Sequence, residues 1–189
     1  EEDNIKNEFI NNLSLDKKNL YFLNSFGSLY SVDLENIDIN WFINLNQSID
    51  LNPSNLFLGN QIINKNNKIV ISANKNTYII DSENGSIINK FNFSKNLKPI
   101  IYENYIFFIT KNNLLICLDV KNSDILYSYD IDRSIADFLD IEKQNAVFKT
   151  FMLMNNQIFI FLENSHILNF KMNGSLNTIY KLPSKIRSQ

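Results

Sequence analysis

Residues Leu20 to Leu45 read LYFLNSFGSLYSVDLENIDINWFINL, and their reading decides the fold. Tyr21 to Leu23 is a short apolar run of strand-forming side chains. Ser25 to Ser28 is a turn in which Gly27 supplies the permissive backbone. Leu29 to Asp33 is a second strand that ends on a carboxylate. After a polar turn from Glu35 to Asp38, a third strand carries Trp41, Ile43 and Leu45. Three short strands with tight turns make a meander that needs another layer to cover its apolar face.

The chain supplies that layer by repetition. Lys68 to Phe93 reads KIVISANKNTYIIDSENGSIINKFNF, Tyr105 to Ile131 reads YIFFITKNNLLICLDVKNSDILYSYDI, and Gln157 to Leu182 reads QIFIFLENSHILNFKMNGSLNTIYKL. Aligned on the strand ends, Asp33, Asp81, Asp119 and Lys171 share one position. Eight residues beyond the first three stand Trp41, Asn89 and Tyr127. Gly85 and Gly174 lie in the turns of the second and fourth copies. A period of about 40 to 50 residues with several strands per unit is the signature of propeller blades. The expectation is an all-β β-propeller segment of about four blades, each a four-stranded antiparallel meander, read as one segment over 1–189. The blades fall at 7–46, 54–93, 97–132 and 147–182.

The innermost strands are placed at Phe9 to Leu13, Ile62 to Ile63, Leu97 to Tyr102 and Val147 to Leu153, with Pro53 and Leu56 to Leu58 in the longer first connection. Residues 133–146 break the period. Ile135, Phe138, Leu139 and Glu142 have helical spacing, which predicts a short helix between Ser134 and Glu142 with Ser134 as its cap. Pro183 to Gln189 reads as the lead into a further strand. The segment is therefore expected to be an open arc of a larger ring, with the apolar side chains of Ile158 to Leu162 uncovered.

Composition narrows the function. With 44% hydrophobic and 13% aromatic residues the chain is globular. A net charge of −2 without a basic block excludes the clustered Lys and Arg of nucleic-acid binding. Asn makes up about a sixth of the chain, against about a twentieth in an average protein; it reads as codon bias landing on turns, and Asn-X-Ser matches such as Asn84-Gly85-Ser86 carry little weight. Cys117 is the only cysteine, so no internal disulfide forms, and its apolar surroundings read as core. No run approaches the length of a membrane span. The chain begins at Glu1 with neither methionine nor signal peptide, and so reads as a processed product or an excerpt.

Each candidate for chemistry has a structural reading. Asp33, Asp81 and Asp119 recur once per blade, so they cannot converge on one site; each is read as accepting hydrogen bonds from its own turn. Trp41 is expected to be largely buried between blades. His166 stands alone, without the convergent ligands of a zinc site. Asp130, Asp132, Asp137 and Asp140 around Arg133 form the densest acidic patch, but the glycine of a calcium loop is missing. There is neither a nucleophile elbow nor a phosphate loop. The expectation is no cofactor, no metal and no catalysis.

Leu29-Tyr30-Ser31-Val32-Asp33, a turn, and then Trp41 resembles the pyrroloquinoline-quinone-type repeat: apolar-Tyr-Ala-Leu-Asp, two residues, Thr-Gly, and a Trp eight after the Asp. Asp81 with Gly85 keeps the Asp and the Gly; Asp119 with Tyr127 keeps an aromatic; the fourth copy keeps Gly174 with Lys171 for the Asp. Within this group the chain is similar to the propeller lipoproteins of the bacterial outer-membrane β-barrel assembly machinery. That resemblance implies a non-catalytic scaffold that binds a protein partner, such as an assembly component, on the periplasmic side of the envelope. A lipid anchor would lie outside this chain. The alternatives are a fragment of a quinone-dependent oxidoreductase, or a ligand- or sugar-binding propeller. The cofactor clamp of the oxidoreductases is not found, and their adjacent-cysteine disulfide cannot form with Cys117 alone.

Overall fold

The computed structural model describes residues 12–46, 61–73 and 75–183, and the chain divides into two compact units, Glu1–Ser94 and Lys95–Gln189. The first holds β1 (Asn12–Leu15), β2 (Asn19–Leu23), β3 (Ser28–Asp33) and β4 (Ile39–Asn44) in one sheet. Its second sheet is β5 (Ile63–Lys65), β6 (Lys68–Ala73), β7 (Asn76–Asp81) and β8 (Ile87–Phe91). The second unit holds β9 (Ile100–Tyr102), β10 (Tyr105–Ile109), β11 (Leu114–Asp119) and β12 (Asp124–Asp130). Helix α1 (Ile131–Leu139) follows, then β13 (Phe148–Met154), β14 (Gln157–Leu162), β15 (His166–Lys171) and β16 (Leu176–Lys181). All four sheets are antiparallel meanders in sequence order, and none closes on itself. They are the successive blades of an all-β propeller segment.

Turn chemistry sets these boundaries. The Oδ1 atoms of Asp33, Asp81 and Asp119 each accept two backbone N–H groups of the turn that follows. Four asparagines lie in left-handed backbone at two β-hairpin turns, Asn66-Asn67 and Asn155-Asn156, and a fifth, Asn113, does so before β11. Asparagine tolerates that conformation better than other side chains. Part of the Asn excess is therefore used in turns.

One irregularity recurs in every blade. The register between the third and fourth strands slips at Ser31/Val32, Ile79/Ile80, Cys117/Leu118 and Asn169/Phe170. Each slip is a β-bulge that adds one residue to the outer strand and re-aims the next. It sets Trp41, Asn89, Tyr127 and Thr178 opposite Ser31, Ile79, Cys117 and Asn169.

Each unit has its own core between its two sheets. In the first, Tyr21, Leu23 and Leu29 pack with Ile69, Ile71, Tyr78 and Ile80. In the second, Phe107, Ile109, Leu115 and Cys117 pack with Ile158, Ile160, Leu168 and Phe170. The apolar side chains of Ile158 to Leu162 are thus not uncovered. Ile158, Ile160 and Leu162 are buried, and only the alternate positions Phe159 and Phe161 are partly exposed, because side chains alternate across a strand.

The helix starts three residues earlier than its spacing predicted. Asp130 closes β12 and caps α1, its side chain accepting from Arg133 N, while Ser134 sits inside the helix and donates to Asp130 O. Asp140 ends the helix in left-handed backbone. The innermost strands at Ile63, Ile100 and Phe148 overlap their expected positions. Phe9 and Ile10 of the expected first strand, and Pro53 and Leu56 to Leu58, lie outside the described residues, as do residues 184–189.

Candidate functional site

The repeat residues meet at the joint between blades. Trp41, aimed by its bulge, lies over the β7–β8 turn, and its Nε1–H donates to Ser82 O at 3.1 Å. Beneath the ring is Gly85, at φ +74°; an ideal Cβ there would stand 2.5 Å from Trp41 Cε3. In the second unit Tyr127 takes the same place with different chemistry: its hydroxyl donates to Met172 O at 2.9 Å. A Cβ on Gly174, at φ +83°, would meet Tyr127 at 2.7 Å and Tyr129 at 2.5 Å. In both joints an aromatic donor bonds the carbonyl of the residue after the strand end and rests on a glycine. Trp41 packs against the core of the first unit and keeps only a minor part of its surface exposed, toward the outer strand of the blade.

Asp16 strengthens the first joint. It accepts from Lys18 N and Asn19 N, from the Tyr21 hydroxyl at 2.8 Å, and from Asn64 Nδ2 on β5. Slight burial works against its charge, but these donors outweigh that and bring its pKa down to about 2. In the second joint, burial pushes the Cys117 thiol up to about 11 despite the Tyr127 hydroxyl, and raises Tyr127 as well.

The acidic patch separates into individual tasks. Asp130 caps α1 and pairs with Lys143; slight burial opposes its charge, but Lys143 and Arg133 N hold the carboxyl below its usual range. Asp132 is buried, accepting from Asn113 Nδ2 and Ala146 N, and so ties the insertion to the turn before β11. Asp137 pairs with Arg133 on the exposed helix face, and Asp140 is the C-cap. His166 Nδ1 lies 3.0 Å from Asn164 Oδ1. Among the described residues no three His, Cys, Asp or Glu side chains gather as a metal site. No helix of the described residues is long and apolar enough to cross a membrane.

The insertion forms a chemically mixed surface. A cleft of about 210 Å³ lies between α1 with its following loop and blade four, lined by Ile135, Leu139, Ile141, Leu162 and Ile179, with Glu142 and His166 among its polar walls. Phe138, Leu139, Ile141 and Val147 are exposed beside Asp137, Asp140 and Glu142. Periodicity located this insertion but not its tie through Asp132, which is fixed by a partner far off in sequence.

No family model and no curated protein matches the sequence. Solved structures do match. BamB from Moraxella catarrhalis is 13% identical at a TM-score of 0.62, over 91% of this chain and 49% of its own. The computationally designed Ika8 protein is 10% identical at 0.61, over 92% and 50%. The quinohemoprotein alcohol dehydrogenase from Comamonas testosteroni is 8% identical at 0.63, over 90% and 34%. The chain thus spans half or less of each. The fold is that of the pyrroloquinoline-quinone-type repeat β-propellers.

Proposed function

We propose that this chain is a non-catalytic propeller scaffold that docks a protein partner in the bacterial envelope, facing the periplasm. The observation that carries the reading is the insertion after β12. It departs from the four-strand repeat, is anchored by the buried Asp132, and presents Phe138, Leu139 and Ile141 to solvent within an acidic rim. Exposed apolar side chains on a fixed element are the usual anchor of a protein interface. The likeness in fold to BamB agrees with this role, and the partner class we propose is a component of the outer-membrane β-barrel assembly machinery.

The test is a photo-reactive side chain at position 138, introduced in cells. The expected result is an adduct with an assembly component, lost when Leu139 and Ile141 are both changed to Asp. Absence of any adduct from position 138 overturns the docking surface. The alternative, a fragment of a quinone-dependent oxidoreductase, is supported by the likeness in fold to the alcohol dehydrogenase. It requires saturable binding of pyrroloquinoline quinone with dye reduction on alcohols or aldoses; we expect neither. A sugar-binding propeller would show saturable sugar binding without turnover.

A further inference from the structure

The cleft between α1 and blade four lies wholly within the second unit, against the core that blades three and four share. Ala136, Leu162 and Leu168 are its buried lining, with Ile135 and Ile179 partly buried beside them. Leu139 and Ile141 line it while staying 45% and 50% exposed, next to the exposed Glu142 and Asn164. The inner part of the cleft is thus apolar and its mouth is polar.

Both sides of this cleft are held in place. On one side Asp132 accepts from Asn113 Nδ2 and Ala146 N, which ties the helix and the end of its loop to the turn before β11. Lys143 bonds Asp130 at the start of the helix, and Ile141 N donates to Ala136 O at 3.1 Å, so the loop leaves α1 in one geometry. On the other side stand the paired strands β14, β15 and β16. A cleft whose walls are ordered on folding loses little entropy when it is filled.

We propose that this cleft seats a short peptide segment of a protein partner, one large apolar side chain going into the cleft and a Lys or Arg beside it meeting the mouth. This rests on the reading of the insertion as a docking surface and names the chemistry of what docks there. Size supports the apolar anchor. The cleft holds about 210 Å³, below the roughly 300–1,000 Å³ of cofactor and drug-sized sites. A single side chain in a desolvated pocket is the usual centre of a protein interface. Charge supports the basic neighbour. The nearby cations Arg133 and Lys143 are taken up by Asp137 and Asp130. That leaves the exposed carboxylates of Asp140, Glu142 and Glu163, the last between the cleft residues Leu162 and Asn164. Against them stands Lys181, opposite His166 on the adjacent strand. The balance at the mouth is acidic, so it favours a cationic segment and disfavours an acidic one.

The test selects short random peptides, displayed on phage, against the full chain, and titrates a synthetic copy of the best binder by fluorescence anisotropy. The expected binders share one Leu, Ile, Phe or Trp with Lys or Arg next to it, and they bind more weakly as salt is added. Ala136→Phe fills the cleft from its buried lining and should weaken the copy at least about tenfold, as the loss of one anchor does. Glu142→Lys combined with Glu163→Lys changes only exposed side chains, so it remains informative if Ala136→Phe does not fold; it should weaken the copy by a similar factor. Selected peptides without the apolar-basic pattern, binding unchanged in the double variant, or no binder at all overturns the proposal. So does a chain that sediments as a dimer which Ala136→Phe breaks, because the occupant is then a second copy. The photo-adduct from position 138 keeps the two readings apart. An adduct that persists in Ala136→Phe and in the double variant leaves the docking surface standing and removes the cleft as its anchor. Loss of the wild-type adduct and of peptide binding together removes both.

Discussion

Trp41 and Gly85 are fitted to one another: the ring occupies the space that any Cβ at position 85 would need, 2.5 Å from its Cε3. The two residues belong to different blades, so their fit is a joint. Gly85→Ala therefore carries two faults, an L side chain at φ +74° and a clash with the ring. The backbone fault alone costs about 1–2 kcal/mol, and we expect a total loss of at least about 2 kcal/mol in urea unfolding. Combining Gly85→Ala with Trp41→Ala removes the clash, so the double variant should lose at least about 1 kcal/mol less than the sum of the singles. Strict additivity would show that the ring moves aside freely.

The Tyr127 joint separates the hydrogen bond from the packing. Tyr127→Phe keeps the ring over Gly174 and removes the hydroxyl, with its bond to Met172 O and its contact with the Cys117 thiol. The expected loss is about 1 kcal/mol. Trp41→Ala removes bond and ring together, but from a site that keeps a minor part of its surface exposed, so its cost should be about 2 to 3 kcal/mol, below the range of a fully buried aromatic. If Tyr127→Phe proves neutral, the Met172 carbonyl finds water in its place.

Much of this was legible in the sequence because the repeat writes each feature several times. The strand-end Asp, the turn after it and the alternation of apolar residues recur, and local hydrogen bonds such as Asp81 Oδ1 to Glu83 N follow from chain neighbours alone. What stayed hidden depends on residues distant in sequence. The equivalence of Thr178 with Trp41 is hidden because the turn after Lys171 is one residue shorter than in the other copies, so that only the strand register sets Thr178 opposite Asn169 as Trp41 is opposite Ser31. The start of α1 was misplaced because Asp130 serves as both strand end and cap, and Ser134 competes on paper for that role. The burial of Ile158 and Ile160 could not be read from an apolar run that shows the same pattern on both faces.

Cys117 tests the second core. Its thiol is buried in the cluster shared by β10, β11, β14 and β15, and burial raises its pKa to about 11. At pH 8 the reactive thiolate is scarce and shielded. Alkylation by iodoacetamide, followed by mass spectrometry, should be slow in the native chain and rapid in urea, with the native rate tracking unfolding as urea rises. Fast native labelling would mean that this core opens without global unfolding.

Asp16 gives the first joint an acid limit. Its carboxylate takes four hydrogen bonds, one of them from Asn64 on the neighbouring blade. Its pKa falls from 3.8 to about 2 on folding. A group whose folded pKa is depressed stabilises the fold at pH values above its unfolded pKa, and that contribution is lost as pH falls through the folded one. The window therefore runs from about pH 4 down to about pH 2. Tyr21, its partner, is shifted upward by burial and by Asp16, so its contribution is lost only at strongly alkaline pH and does not overlap that window. Asp16→Asn keeps an acceptor for the turn but abolishes the charge. Urea midpoints should place the variant below the wild type at pH 7, with the gap closing between pH 4 and pH 2 and absent below that range. A gap that stays constant across the window would assign the loss to packing and not to the carboxylate's charge.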